Sequence, residues 1–402
     1  MRVPLAVVGL EQTDIQKVLE ILKSGNLTMG EQVRTFESLM ANYLGADHFI
    51  MVNSGSSANL LMFEYLLRPS SGIPYLQPGD GVLVPAIAWP TTIWPIIQLG
   101  LIPIFVDVNR ETFDFNLESA REAISLSKVP VKAMFPIHPL GFAIEPSKLQ
   151  SFADEFSLVL LNDVCESLGS WSEKLHAGMA GLAASFSFYF SHHITTMEGG
   201  GIATNSLQVA DDLRSMRSHG WSRDRSDRND FTEGLTLAES KFRFLTTGYN
   251  VRPTEIQAGI GVNQVERIDT FVERRRALAK RVSGAVIGTP LKLMGDVNFS
   301  DPESNEGHSW MMIALCVEGG PRIKLKVQEF LEQNEIETRP VLTGNFLHQP
   351  AMKNLKNFIS DVTLENTDWV AEHCFLIGAH HDFTEDQINH LLETLTRTSK
   401  FN

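Results

Sequence analysis

Ser185 to Asn205 reads SFSFYFSHHITTMEGGGIATN, and the rest of the chain is organised around it. Its first six residues alternate small or polar side chains with aromatic ones. That is the period of a half-buried strand, and it predicts one over 185–190. Ser191 to Met197 is a polar turn, and Glu198-Gly-Gly-Gly201 permits tight backbone geometry ahead of a second strand from Ile202. Two strands therefore pinch a loop that carries His192 and His193, three hydroxyls and a carboxylate. The glycines beside it let a backbone or a ligand come close.

Outward from this loop, short apolar runs alternate with helical spacing. Thr13 to Ser24 and Val33 to Leu44 have helical periods ending at Gly25 and Gly45. Strands are expected at His48–Val52, Gly81–Pro85, Ile102–Val106, Val131–Phe135 and Leu158–Leu161, most followed by a helix. This alternation indicates an α/β chain with a parallel sheet covered on both faces. Ligands of such sheets collect at the carboxyl ends of the strands, so the residues just beyond each strand are the candidates. After Val52 comes Asn53-Ser-Gly-Ser-Ser57 and a helix from Ala58, where Gly55 and Ser56 make either an anion site or an ordinary helix cap. After Pro85 comes Trp89, a residue type more often found in a core, with Pro90 marking helix entry. After Leu161 comes Asn162-Asp163-Val-Cys-Glu166, whose Asp163 reads as a helix N-cap or as the partner of a protonated ligand nitrogen.

Ser218 to Asp230 is a polar loop with Arg223, Arg225 and Arg228, readable as a solvated mobile surface or as a cover for a phosphorylated ligand. Lys241 to Ala258 holds Gly248-Tyr-Asn250-Val-Arg252-Pro and a capped helix from Thr254, with helical pattern through Arg276. The chain loosens at Gly284 to Glu306, and a smaller α+β unit follows. We place a large domain at 1–270 and a small one at 271–402. A net charge of −14 over 402 residues speaks against nucleic acid or an anionic membrane as partner. Three cysteines, Cys165, Cys316 and Cys374, without paired spacing fit reduced thiols in cytoplasm and cannot supply the four thiolates of an iron–sulfur cluster. The opening residues are too short in apolar run for a signal peptide, no run reaches membrane-spanning length, and the remaining histidines, His380 and His381 among them, lack metal-ligand spacing.

The central loop resembles the lysine loop of the nucleotide-sugar aminotransferase family, fold-type I enzymes dependent on pyridoxal phosphate (PLP). There a serine, a lysine five residues on and a Glu-Gly-Gly six further on recur; here Ser187, His192 and Glu198-Gly-Gly stand at those positions, and no lysine lies between Lys174 and Lys241. Lysine replaced by His-His-Ile-Thr resembles the 3-dehydratase branch of the family. Thr28-Met-Gly-Glu31, Asn53 to Leu61, Ser218-His-Gly-Trp221, Gly248 to Pro253 and Arg339 to Leu347 extend the likeness along most of the chain.

The resemblance implies an aspartate-aminotransferase-like fold, with a mainly parallel seven-stranded sheet between helices and a smaller C-terminal α+β domain. It implies that Gly55, Ser56 and Ser187 hold the cofactor phosphate, that Trp89 stacks on the ring and that Asp163 pairs with the ring nitrogen. Glu166 stands where relatives contact the ring oxygen with His or Gln, and Asn162 departs from the usual acid. Asn250 would reach the neighbouring subunit's phosphate in a homodimer with shared active sites. His219, Arg252 and Arg339 become substrate-binding candidates. Histidine forms no stable imine, so PLP and its amine form, pyridoxamine phosphate (PMP), would be held without a covalent bond, with His192 as acid and base. The implied reaction removes the C3 hydroxyl of a nucleotide-linked 4-keto-6-deoxysugar, with L-glutamate as amino donor and ammonia released; GDP is the first choice of nucleotide, with CDP and dTDP open. An ordinary sugar aminotransferase using another lysine, and a catalytically silent regulatory paralogue, stay open on the sequence.

Overall fold

The computed structural model describes residues 1–72, 74–301, 306–355 and 358–401, so part of the loose 284–306 stretch lies outside the described residues. Seven strands build the main sheet: β1 (His48–Val52), β2 (Gly81–Pro85), β3 (Ile102–Val106), β4 (Val131–Met134), β5 (Val159–Asp163), β6 (Ala183–Ser187) and β7 (Gly200–Thr204). Their order is β1-β7-β6-β5-β4-β2-β3. β7 runs antiparallel to both of its neighbours. The remaining pairings are parallel, as strands linked through helices must be. Side chains alternate across the sheet. Val82 and Val84 pack with the helices Gly55–Leu67 and Pro90–Gln98, while Leu83, between them, packs on the opposite face with residues of Leu117–Leu126 and Pro146–Phe156. The unbroken apolar runs in the sequence are therefore strands buried on both sides.

A second sheet of four antiparallel strands, β8 (Leu291–Leu293), β9 (Met312–Val317), β10 (Thr338–Arg339) and β11 (Cys374–Gly378), is ordered β8-β9-β11-β10. Ile313, Leu315, Phe375 and Ile377 anchor its core. The helical pattern expected to run through Arg276 is two helices, Glu255–Val265 and Ile268–Ala285. The second serves both cores: Ile268, Phe271 and Val272 are buried with the large sheet, and Leu278, Ala279 and Val282 with the small one. At the start of the chain, Val3 bridges to Ile336 and is buried with the small-sheet core.

Two expectations are corrected. The strand expected over 185–190 stops at Ser187: Phe188 O accepts the Thr196 N–H at 2.9 Å and Tyr189 O the His192 N–H at 3.0 Å, and these two bonds turn the chain. Phe188 is then buried edge-on against Phe36, at 5.2 Å between centroids, while Tyr189 and Phe190 project outward, each 39% exposed. The loop after Arg217 is not a free solvated surface. Arg225 is buried and donates to Asp212 at 2.5 Å and to Asp227 at 2.6 and 2.7 Å, and Asp211 accepts the Ser226 N–H at 3.0 Å. These bonds fasten the loop to the helix Leu207–Met216.

Candidate active site

The carboxyl ends of β1, β2, β5 and β6 surround a cavity of about 270 Å³, which Met311 and Arg339 close from the side of the small sheet. Of the candidates read from the sequence, Gly55, Ser56, Trp89, Asp163, Glu166, Ser187, His192 and Arg339 all line it. No lysine does so among the described residues.

At one end the helix Gly55–Leu67 begins, capped by Ser54, whose Oγ accepts the Ser57 N–H at 3.1 Å. The first N–H groups of a helix have no partner within it, and they carry the positive end of the dipole. Glycine is required at 55 by crowding: a Cβ there would lie 2.7 Å from Ser187 Cβ and 2.9 Å from Cys165 Sγ. Gly200 is equally constrained, since its Cβ would stand 2.4 Å from the backbone of Ser54 and Gly55. The glycines of the central stretch thus let β7 lie directly under the turn. Ser56 Oγ donates to Thr91 Oγ1 at 3.0 Å, which ties the turn to the helix that carries Trp89 at its N-cap.

At the floor, Asp163 is buried and held by three donors. Thr92 Oγ1 and Asn59 Nδ2 reach Oδ2 at 2.8 and 3.0 Å, and the Cys165 N–H reaches Oδ1 at 3.1 Å. Beside it Asn162 Oδ1 meets His138 Nε2 at 3.0 Å, and Asn162 Nδ2 donates to Ala180 O at 2.8 Å. Burial pushes the His138 pKa down to about 4, so the imidazole is neutral and a neutral amide is its fitting partner. Glu166 accepts the Leu140 N–H at 3.0 Å, and burial raises its pKa against the opposing charge of Arg339. Trp89 is not core: its ring is 49% exposed, with the Arg339 guanidinium 5.8 Å from its centroid.

His192 projects into the cavity and His193 away from it. His193 is fully buried and donates from Nε2 to Ser309 O at 3.2 Å, pinning the loop. His192 is half-buried, with Nδ1 3.2 Å from Met311 Sδ and the Tyr189 ring edge-on at 6.2 Å. Desolvation pushes its pKa down to about 3, and the positive charges of Arg275 and Arg339 act in the same direction. The lone pair is therefore free at neutral pH. Behind the loop Arg275 is buried and donates to the carbonyls of Met311 at 2.8 Å, Ala379 at 3.0 Å and His192 at 3.3 Å.

Three candidates stand elsewhere. His219 and Asn250 are exposed and away from the cavity, and Asn250 Oδ1 accepts from Arg252 Nε at 3.1 Å. The sequence reading missed Asn59, Thr92, Tyr189 and Met311, which have no motif of their own and belong to the site through contacts only. It also missed that His380, His381 and Asp382 gather one potential ligand atom each within 4.8 Å of one another. Arg274 approaches Asp382 at 3.9 Å, and the Arg275 charge further lowers the pKa of His380 and His381, an environment that opposes a cation.

These residues fit PLP: free helix N–H groups and the Ser56 and Ser187 hydroxyls for a phosphate, a carboxylate held to face a protonated ring nitrogen, and an indole platform between them. The model of the DegT/DnrJ/EryC1/StrS aminotransferase family matches residues 9–396. GDP-4-keto-6-deoxy-D-mannose 3-dehydratase of Yersinia pseudotuberculosis is 31% identical, with 98% of each chain covered. dTDP-4-dehydro-2,6-dideoxy-D-glucose 3-dehydratase of Saccharopolyspora spinosa is 32% identical, covering 96% of this chain and 84% of the relative. A crystal structure of GDP-4-keto-6-deoxymannose-3-dehydratase with a trapped PLP-glutamate geminal diamine superposes with a TM-score of 0.88 at 30% identity, over 98% of this chain and 100% of that one. With its seven-stranded sheet, its small antiparallel sheet and a histidine in place of the lysine, the chain is a fold-type I PLP enzyme of the DegT/DnrJ/EryC1/StrS aminotransferase family, in the 3-dehydratase branch.

Proposed function

We propose that the protein removes the C3 hydroxyl from a nucleotide-linked 4-keto-6-deoxyhexose, with GDP-4-keto-6-deoxy-D-mannose the foremost candidate, giving a 3,6-dideoxy-4-keto sugar and ammonia. L-Glutamate would be the amino donor. The observation that carries this reading is that an imidazole, with no amine, lines the cavity beside Asp163, Trp89 and the Gly55 turn. Bound PLP or PMP supplies the electron sink that such an elimination needs.

The chain's own contribution is binding and proton movement. Gly55 and Ser56 with Ser187 would hold the phosphate; Asp163, fixed by Thr92 and Asn59, would keep the ring nitrogen protonated; Trp89 would support the ring and Glu166 would serve its oxygen. His192, with its proton on Nδ1 toward Met311 Sδ, offers Nε2 to take a proton at the cofactor carbon C4′ and to return one to the departing C3 oxygen. Histidine cannot displace a product amine as lysine would, so release of the amine as ammonia would fall to water. Arg339 is placed to meet an anionic group of donor or sugar nucleotide. Asn250 and Arg252 lie on a surface that a second subunit would complete, in keeping with a homodimer with shared sites.

The test is incubation of purified protein with PLP, L-glutamate and a panel of GDP-, CDP- and dTDP-linked 4-keto-6-deoxysugars, following ammonia and product mass. Stoichiometric ammonia with a 3-deoxy product is expected. An amino sugar formed without ammonia, or a borohydride-trapped PLP–lysine adduct, would overturn the reading in favour of an aminotransferase.

A further inference from the structure

The register of the small sheet sets Lys292, Cys316 and Cys374 directly opposite one another across β8, β9 and β11. Side chains at opposed positions share a face, so one row across the sheet reads lysine, thiol, thiol. Both cysteines are free, at 4% and 1% exposure. Cys316 also lines a separate cavity of about 430 Å³, together with Lys292, Glu318, Trp369 and His373. A small molecule therefore has a way to one sulfur, with the second directly behind it. Lys324, whose Nζ donates to Ala371 O at 2.6 Å, adds a second positive charge near the pair.

We propose that Cys316 and Cys374 form a thiol-exchange site that closes to an intramolecular disulfide on reaction with a small disulfide such as oxidised glutathione. The two sulfurs are unequal. Cys316 lines the cavity opposite Lys292, whose charge together with that of Lys324 favours its thiolate, whereas Cys374 lies one strand further in and does not line that cavity. Cys316 is accordingly the attacking thiolate and Cys374 the resolving thiol. In the first step Cys316 Sγ bonds to one sulfur of the small disulfide, and the other sulfur leaves as a thiolate. In the second, Cys374 loses its proton and attacks Cys316 Sγ, expelling the remaining thiolate. Two protein thiols are oxidised, one small disulfide is reduced, and the two protons end on the two leaving thiols.

The geometry asks for a modest movement. Opposed Cβ atoms on antiparallel strands are roughly 4.5–5.5 Å apart and a disulfide spans about 3.5–4.5 Å, so closure draws β9 and β11 together by about an ångström. Cys165 supplies the internal contrast. It lies beside Asp163, and burial together with that carboxylate pushes its thiol pKa well up, so it is the slower to react.

The experiment treats the folded holoenzyme with oxidised glutathione and follows intact mass and peptide maps. Loss of two hydrogens, a peptide pair joined through Cys316 and Cys374, and reaction at this pair at least tenfold faster than at Cys165 are expected. Cys374→Ser should stop at a glutathione adduct on Cys316, and Cys316→Ser should abolish both products. Because buried serines can disturb folding, the wild-type peptide map decides on its own. A pair that stays reduced, a persistent glutathione adduct on the wild-type protein, or a bridge to Cys165 would each overturn the proposal.

Discussion

Substitution His192→Asn separates proton transfer from cofactor binding, because the ring has few structural duties. Its ring meets the Met311 sulfur at 3.2 Å and the Tyr189 ring at 6.2 Å between centroids. The loop itself is fixed by other bonds: His193 to Ser309, Thr195 to Gln264, and Arg275 to the His192 carbonyl, which asparagine retains. A positioned acid–base group contributes roughly 10²–10⁴ in rate, which is about 3–5 kcal/mol of barrier. The variant should therefore release ammonia at about a hundredth of the wild-type rate or less at saturating L-glutamate and sugar nucleotide. Its PLP affinity, read by spectral titration, should stay within about threefold, under ~1 kcal/mol. The companion His192→Lys restores an amine at the position and should give a borohydride-stable PLP adduct with reduced dehydration. A kcat of His192→Asn within a few-fold of wild type, or a PLP affinity that falls as far as the rate, would refute the assigned role.

Gly55→Ala places a methyl group 2.7 Å from Ser187 Cβ and 2.9 Å from Cys165 Sγ. Overpacking of this kind costs about 1–3 kcal/mol, and here the displaced Ser187 belongs to the phosphate site, so PLP affinity should drop at least about tenfold in equilibrium dialysis; unchanged affinity would remove the phosphate from that turn. His176 accepts the Gly169 N–H on Nε2 at 2.8 Å and donates from Nδ1 to Ala177 O at 2.8 Å, and burial takes its pKa from 6.5 to about 3. Protonation then favours the unfolded chain: the stabilisation is whole above pH 6.5 and is lost as pH falls toward 3, at up to ~1.4 kcal/mol per pH unit. Urea unfolding of wild type and His176→Phe between pH 7.5 and about 4.5 should show a shallower pH slope in the variant, and equal slopes would sink the argument.

Much of this was legible because fold and site share one signal. A buried parallel strand is a short apolar run, and the residues after it face the ligand, so the runs His48–Val52, Gly81–Pro85 and Leu158–Leu161 also led to Gly55, Trp89 and Asp163, although the third strand extends to Asp163 itself. Where the signal misled, a second interaction had decided the outcome. The alternation of SFSFYF continues past Ser187, but the carbonyls of Phe188 and Tyr189 are taken by the N–H groups of Thr196 and His192 and the chain turns. The polar stretch after Arg217 has the composition of a mobile loop, yet Asp211 and Asp212 on the preceding helix meet Ser226 and Arg225. A carboxylate on a helix does not announce which arginine it will hold.

The deepest omission concerns how the catalytic loop is kept in place. Arg275 sits in the run Glu273-Arg-Arg-Arg276, indistinguishable in sequence from a solvated helix face, and a run of three arginines argues for solvent. The helix Ile268–Ala285 is amphipathic across two cores, however, and at the crossing point one arginine must face inward. There it binds the carbonyls of His192, Met311 and Ala379, which come from the catalytic loop, the residue just before β9 and the residue just after β11. Leaving that guanidinium without acceptors would cost several kcal/mol, so the three segments are held as one unit. His192 and its Met311 neighbour are thus set by a single buried cation, which also disfavours a proton on the imidazole. Arg275 thus holds the loop that carries His192 from 83 positions away along the chain, and its charge adds to the desolvation that keeps the imidazole neutral, a relation visible only once the helix is folded between the two sheets.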